Sequence, residues 1–331
     1  MKWTAHRLIY RAMGPVHIGC HTLGYIKLTY PYITGRAMWG AATANLTRAY
    51  GKFPDRVSTE YQRFGELFKK QVIFSYFFPA FEGEKPWLPR YTEQGLCFHS
   101  SSCPADPVPE RRFQQVFFGS FLQTAVSPHV NTAEDETLHE SEFIRHRVVF
   151  PAAGGNDGVR PVYFVGYVFI RNDAVLEGYG DVSWEGGDVA IKPAMEIFIG
   201  GDRKYGWGRL RLDGVYKNIC CMHGCGVVLD KCAPVICVEK GQSIPAHAVA
   251  DEGVELWGDI ELFVGRLWQR GETGSNGNSG PGRDIRGNGL CWMPGSILEA
   301  NSQNGAGRIS MVVGEFGILK KKKDEKACSD V

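Results

Sequence analysis

Before Asp55 the chain contains neither Asp nor Glu. That absence leaves Lys2, Arg7, Arg11, Lys27, Arg36, Arg48 and Lys52 without a carboxylate in their own stretch of sequence. A face of one charge sign attracts a polyanion even when the molecule as a whole is close to neutral. The whole chain is close to neutral, since 37 basic and 36 acidic residues leave a net charge of +1. A uniformly basic nucleic-acid binder is therefore excluded, and an asymmetric one is not. One alternative stays open, in which later acids such as Glu134, Asp135, Glu136, Glu140 and Glu142 neutralise the segment in space.

Long apolar runs are missing too. Nothing approaches the roughly 18 consecutive apolar residues of a membrane helix. The polar stretch from Met1 to Arg7 has no secretory character, so a cytoplasmic protein without a membrane partner is expected. In that compartment the ten cysteines read as thiols, metal ligands or small buried apolar groups, not as a disulfide framework. Phosphate-loop signatures are absent, because no Gly-Lys-Ser or Gly-Lys-Thr occurs, and no glycine cluster has the strand-to-helix context of a dinucleotide fingerprint. No cofactor is implied.

What is present suits a globular protein of two domains: 331 residues, 44% hydrophobic and 22% charged. Leu23–Tyr30 reads as a strand closed by Pro31. Thr34-Gly35 opens a helix of small residues over Arg36–Tyr50, stopped by Gly51. A second helix is expected over Arg56–Lys70 with Asp55 as N-cap, because Val57, Tyr61, Phe64 and Phe68 share one helical face. Strands are expected at Gln71–Phe78, Phe113–Leu122, Phe143–Phe150, Pro161–Ile170, Ala194–Ile199, Arg209–Val215 and Val254–Leu267, with an irregular excursion over Pro79–Pro109. Gly271–Gly289 reads as a mobile Gly/Ser/Asn loop, and Lys320–Lys323 as a solvated basic tail. The class is α+β with antiparallel sheets, divided near residue 216 into segments 1–215 and 216–331.

The chemistry concentrates in Ile199-Gly200-Gly201-Asp202-Arg203-Lys204-Tyr205-Gly206-Trp207-Gly208-Arg209-Leu210. Its glycines allow positive φ and close approach of a ligand, and exposed amides in such a loop cradle phosphate oxygens. Arg203, Lys204 and Arg209 supply positive charge. Tyr205 and Trp207 supply faces on which bases stack, at about 1–3 kcal/mol per base; for Trp207, anchorage in the core is the equal alternative.

This segment resembles the glycine-rich loop of the RAMP superfamily, the repeat-associated CRISPR proteins. Gly14-Pro15-Val16-His17-Ile18-Gly19 followed by Tyr32-Ile33-Thr34-Gly35-Arg36-Ala37-Met38-Trp39-Gly40-Ala41 is similar to that superfamily's first strand, loop and first helix, although Thr34 stands where Pro is usual. Pro128-His129-Val130-Asn131-Thr132-Ala133-Glu134 is similar to its central thumb-like segment, and Trp292-Met293-Pro294-Gly295-Ser296-Ile297 to a Pro-Ala-Gly-Ser turn of its large members. The resemblance implies ferredoxin-like (RRM-type) modules, a thumb-like insertion in 1–215 and a smaller or partial module in 216–331.

Within that superfamily the chain most resembles the family-five Cas subunit of type III effectors, of type III-D form. The resemblance implies a non-catalytic subunit that grips the crRNA 5′ handle and caps the backbone filament. Its partners would be crRNA, target RNA, a large subunit and backbone RAMP proteins. A backbone subunit that cuts target RNA would carry an aspartate before the first helix, and that position is empty here. A processing endoribonuclease would use a histidine as general acid or base, for which His17 and His21 are candidates. Against it, about 120 residues follow the glycine loop, which processing enzymes carry near their C-terminus. RNA contacts are expected at Gly200, Gly201, Arg203, Lys204, Tyr205, Gly206, Trp207, Gly208, Arg209, Arg36, His17, His129, Arg145, His146 and Arg147. Trp39 reads as packing against the sheet. Cys220, Cys221, Cys225 and Cys232 leave a zinc site open, although their irregular spacing favours buried thiols.

Overall fold

A computed structural model of the chain describes residues 3–51, 57–100, 103–127, 129–150, 158–171, 195–250, 254–269, 280–299 and 307–322. The chain begins with β1 (Trp3–Ala12), β2 (Gly19–Leu23) and β3 (Ile26–Thr29), then α1 (Gly35–Tyr50) and α2 (Val57–Gln71). Next come β4 (Val72–Phe74), β5 (Phe78–Ala80), β6 (Leu88–Thr92), β7 (Gly95–Ser100), β8 (Cys103–Pro109) and α3 (Glu110–Phe117). They are followed by β9 (Phe118–Gln123), β10 (His139–Ile144), β11 (Arg147–Phe150), β12 (Gly158–Pro161) and β13 (Tyr163–Arg171). A hairpin of β14 (Glu196–Phe198) and β15 (Arg209–Tyr216) carries the glycine-rich loop. After it run β16 (Cys221–Met222), β17 (Cys225–Leu229), β18 (Pro234–Glu239), β19 (Ala248–Val249) and β20 (Leu256–Trp257). The last elements are β21 (Ile260–Gln269), β22 (Gly280–Trp292), β23 (Ile297–Leu298), β24 (Arg308–Val313) and β25 (Leu319–Lys321). The architecture is α+β, with mostly antiparallel strands and few helices. No helix is long and apolar enough to cross a membrane among the described residues.

The central sheet has the order β14-β15-β1-β13-β4, with β5 also paired to β13, and all its neighbours are antiparallel. Strand β13 explains how it is covered. Its run Tyr163–Ile170 is buried without a break, which requires apolar layers on both faces. On one face Phe164, Val168 and Ile170 join Leu8 and Tyr10 beneath Met38, Trp39 and Leu46 of α1 and Phe64 and Phe68 of α2. On the other, Tyr167 and Phe169 join Trp3 and Ala5 against Ile236, Val238, Met311 and Val313. Those residues belong to an eight-stranded sheet of order β16-β17-β18-β24-β25-β19-β22-β21, in which only the β19–β25 pairing is parallel. Thus the strands β16–β19, β21, β22, β24 and β25 form a β layer on the back of the helix-covered sheet. Helix α1 approaches Phe316 closely at Gly35, where a Cβ would overlap the carbonyl oxygens of Phe74 and Phe316. Thr34 is its N-cap, with Oγ1 accepting from the Ala37 amide at 3.3 Å, which gives the residue at the usual proline position a local role.

Several expectations are corrected. Leu23–Tyr30 is not one strand: Leu23 ends β2, the chain turns at Gly24 (φ +60°), and Ile26–Thr29 form the second arm of the hairpin. Gln71–Phe78 divides into β4 and β5, and the excursion 79–109 contains the three-stranded sheet β6-β7-β8. Phe113–Leu122 is not one strand: α3 ends at Phe117, because Phe113 and Phe117 stand four residues apart on a buried helical face. In the expected mobile loop, residues 280–289 are part of β22, paired to β21, and the glycines left no alternation to read. The expected tail enters the eight-stranded sheet as β25, and Lys322 Nζ donates to Asp230 Oδ2 at 2.8 Å. The proposed cap Asp55 and residues 271–279 lie outside the described residues.

Candidate nucleic-acid interface

The glycine-rich loop lies directly on the segment Gly14–Ile18. Gly200 (φ +74°) sits against the His17 carbonyl, which a Cβ would overlap, and Gly208 (φ +71°) sits in the same way against the Ile199 carbonyl. A Cβ on Gly201 would stand 2.8 Å from His17 Cδ2. The close approach these glycines permit is therefore to the protein's own backbone. Their amides are engaged as well: Gly201 N–H donates to His17 O at 3.0 Å, Gly206 N–H to Arg203 O at 3.1 Å and Gly208 N–H to Pro15 O at 2.6 Å. This corrects the expectation that Gly201, Gly206 and Gly208 offer free amides to phosphate. Trp207 is buried edge-on against Phe143, with centroids 4.9 Å apart, and anchors the loop. Arg203, Lys204 and Tyr205 form the exposed 3-10 turn between them, with Tyr205 72% exposed. Arg209 is held by Glu196 Oε1 at 2.6 Å.

Beside this loop opens a cleft of about 930 Å³. Its walls are the loop residues Phe198–Gly201 and Arg203, the His17–Cys20 segment, the outer face of α1, and residues 263–267 of β21. Asn45 of α1 ties the helix to the loop's hairpin by donating to the Glu196 carbonyl at 2.5 Å. No Asp or Glu lines the cleft, whereas Arg36, Arg48, Arg203, Arg266 and His17 do, together with Tyr30, Tyr61 and Phe263. Arg48, Arg203 and Arg266 are exposed, and none takes part in the ion pairs among the described residues. Arg48 and Arg266 were not among the sequence candidates. Arg266 belongs to no motif, and only strand register brings it to the glycine loop.

Arg36 is placed differently from its expected role as a phosphate ligand. Its guanidinium donates to Asn288 Oδ1 at 2.7 Å and to the Arg286 carbonyl at 3.5 Å, and lies over the rings of Phe263 and Phe316. Burial holds its pKa below the usual arginine value. Trp39 is buried, its indole donating to Gly65 O at 3.1 Å and packing edge-on to Phe316.

His17 lines the cleft with its Nδ1–H donating to the Glu142 carbonyl at 2.6 Å, which leaves Nε2 as an acceptor. His21 is exposed and reaches Glu261 Oε2 at 3.7 Å. Glu261 also accepts from the Tyr30 hydroxyl at 3.0 Å and from His247 Nε2, while His247 Nδ1 accepts from the Tyr76 hydroxyl at 2.6 Å. Burial raises the Glu261 pKa, but the hydrogen bonds from His247 and Tyr30 outweigh it and hold the carboxyl below the usual range. Burial lowers the His247 pKa, and the hydrogen bond to Glu261 opposes that shift without reversing it. Glu142 and Glu261 are acids brought by the fold to the acid-free N-terminal segment, where they meet the Thr29 amide, the Tyr30 hydroxyl and His21.

The remaining candidates do not converge on the cleft. His129 is exposed in the turn between β9 and β10, and Pro128 lies outside the described residues. Arg145 donates to the Gln115 and Val116 carbonyls at 3.0 and 3.1 Å, closing the C-terminus of α3. His146 is partly buried, with its pKa lowered by burial and then by Arg147, and Arg147 is exposed at the start of β11. Cys225 is buried in the core, where desolvation pushes its thiol up to about 12, away from the thiolate a metal needs. Among the described residues no group of three or more His, Cys, Asp or Glu is arranged to hold a metal ion. In the Pro-Ala-Gly-Ser-like turn, Gly295 (φ +99°) packs on Pro89 and its carbonyl accepts from the Tyr91 amide at 3.0 Å.

No family model matches the chain, and no curated protein matches its sequence. Among solved structures, the chain is similar to chains from structures of a type III-B Cmr-beta complex. One is described as the type III-B Cmr-beta complex bound to cognate target RNA and AMPPnP, state 1, with 11% identity and TM-score 0.45 over 88% of this chain and 85% of that one. A second, the same complex bound to cognate target RNA, has 11% identity and TM-score 0.37 over 63% and 96%. The apo state gives 10% identity and TM-score 0.34 over the same shares. Likeness at these values assigns neither fold nor function.

Proposed function

We propose that the chain is an RNA-binding, non-catalytic subunit of a type III CRISPR effector, which grips the crRNA 5′ handle and caps the backbone filament. One observation carries the RNA reading: a cleft lined by three arginines outside any described ion pair, by aromatic rings and by no carboxylate, next to the glycine-rich loop. Cationic side chains with ring faces and no acid suit a single-stranded polyanion that carries bases. The CRISPR assignment rests on the four sequence segments that resemble the RAMP superfamily. It is supported by strand order, since β15-β1-β13-β4 with all neighbours antiparallel is the order of a ferredoxin-like unit built from β1, α1–α2, β4, β13 and β15. Partners on this reading are crRNA, target RNA, a large subunit and backbone RAMP proteins, in the cytoplasm.

A second reading, metal-independent RNA cleavage, draws on the acceptor Nε2 of His17 at the cleft wall. The test is binding and cleavage of a labelled guide RNA, with and without its 5′ handle, in EDTA and in Mg²⁺. Handle-dependent binding without cleavage is expected, and Arg203→Ala with Lys204→Ala should weaken it and flatten its salt dependence. Cleavage in EDTA that His17→Ala abolishes would transfer the assignment to a nuclease. Equal binding of RNAs with and without a handle would overturn the capping role.

A further inference from the structure

We infer that the edge strand β21 forms the second jaw of the cleft, with Arg266 contacting a phosphate of a single-stranded RNA segment held between it and Arg203; this rests on the RNA-binding reading above. Strand β21 ends the eight-stranded sheet, so one of its edges has no strand partner among the described residues. Along it the residues alternate: Phe263 and Leu267 are buried, whereas Val264 and Arg266 are exposed. Arg266 stands directly across from Ile285 of β22, and both line the cleft with Val264. The jaw therefore offers one cation flanked by apolar surface, facing a loop that offers Arg203. That pairing of charge with flat apolar surface fits phosphates and unstacked bases.

The cleft's size narrows the ligand further. About 930 Å³ is the scale of a pocket for a small molecule or a few residues of an extended chain, not for a duplex. An extended peptide adding to the β21 edge is the other occupant such an edge invites. Three arginines outside any described ion pair favour the polyanion.

Arg36 has no share in this contact. Its guanidinium lies so close to the Gly265 α-carbon that any Cβ there would overlap it, and its hydrogen bonds go to the Arg286 carbonyl and Asn288. It links α1 to the β21–β22 ribbon from inside.

The experiment is a salt titration of binding by the full chain, with labelled single-stranded guide RNA carrying the 5′ handle as probe. Each phosphate contact to a single strand contributes about 0.7 to the slope of log K against log salt. Arg266→Ala and Arg203→Ala are each expected to reduce the slope by about 0.7. Arg266→Lys should retain it. A wild-type slope for Arg266→Ala beside a reduced slope for Arg203→Ala would overturn the β21 jaw and leave the RNA reading standing. Wild-type slopes for both would remove the RNA reading itself. Displacement of the RNA by an uncharged extended peptide, with Arg266→Ala silent, would assign the edge to strand addition instead.

Discussion

Substituting Gly208 by Ala tests whether the glycine-rich loop is shaped by its own chain or for a ligand. An L-residue at φ +71° incurs about 1–2 kcal/mol. The new Cβ also overlaps the Ile199 carbonyl, so the backbone must shift. Two hydrogen bonds run through this residue, from Ile199 N–H to Gly208 O at 2.9 Å and from Gly208 N–H to Pro15 O at 2.6 Å. Weakening both adds about 0.5–1.5 kcal/mol each, giving a total of about 2–5 kcal/mol. Gly206 is the internal control. It has φ +84° but nothing within 4 Å of a Cβ, so only the conformational cost of about 1–2 kcal/mol applies. The unfolded-chain entropy lost on Gly→Ala is common to both and cancels in the comparison. Urea unfolding followed by tryptophan fluorescence and circular dichroism should place Gly208→Ala below Gly206→Ala by about 1–3 kcal/mol. Equal midpoints for the two variants would refute the packing account of the loop.

Two further outcomes follow from burial. His223 is enclosed edge-on by the rings of Phe78 and Tyr167, and burial lowers its pKa to about 3. The unfolded chain then binds the proton more readily, so His223 costs no stability above its ordinary value of 6.5 and lowers stability as pH falls from there towards 3, by up to about 1.4 kcal/mol per pH unit. His223→Asn should reduce the slope of unfolding free energy against pH in that window, and an unchanged slope would show that the ring titrates normally in the folded state. Phe113 is 1% exposed and stacks on Phe98 at 3.8 Å and Phe117 at 4.6 Å. Phe113→Ala should destabilise by about 3–5 kcal/mol in the same urea assay, and a loss below about 1 kcal/mol would place α3 outside the cooperative core.

Elements whose side chains alternate or recur with a helical period are legible in the residues alone. Helix α2 shows its Tyr61, Phe64 and Phe68 face, α1 its small residues and Gly51 stop, and β13 its unbroken apolar run. The misreadings fall where period and composition conflict with context. Phe113 and Phe117 look like strand residues among aromatics. The glycines of residues 280–289 look like a loop because pairing with β21 is a property of backbone amides, not of side chains. Lys320 and Lys321 read as part of a tail for the same reason: their place inside a sheet depends on β24 and β19.

Local propensity and charge are written residue by residue, so the α+β class, the basic N-terminal segment and the glycine-rich hairpin can all be recognised without tertiary contacts. Which groups reach the cleft is settled by those contacts instead. Arg36 is drawn inward by Asn288, Trp207 is turned into the core by Phe143, and Arg266 arrives from the far end of the chain. A side chain's task depends on its partners, and a partner such as Asn288 for Arg36 lies 252 residues away along the chain, where no local pattern records it.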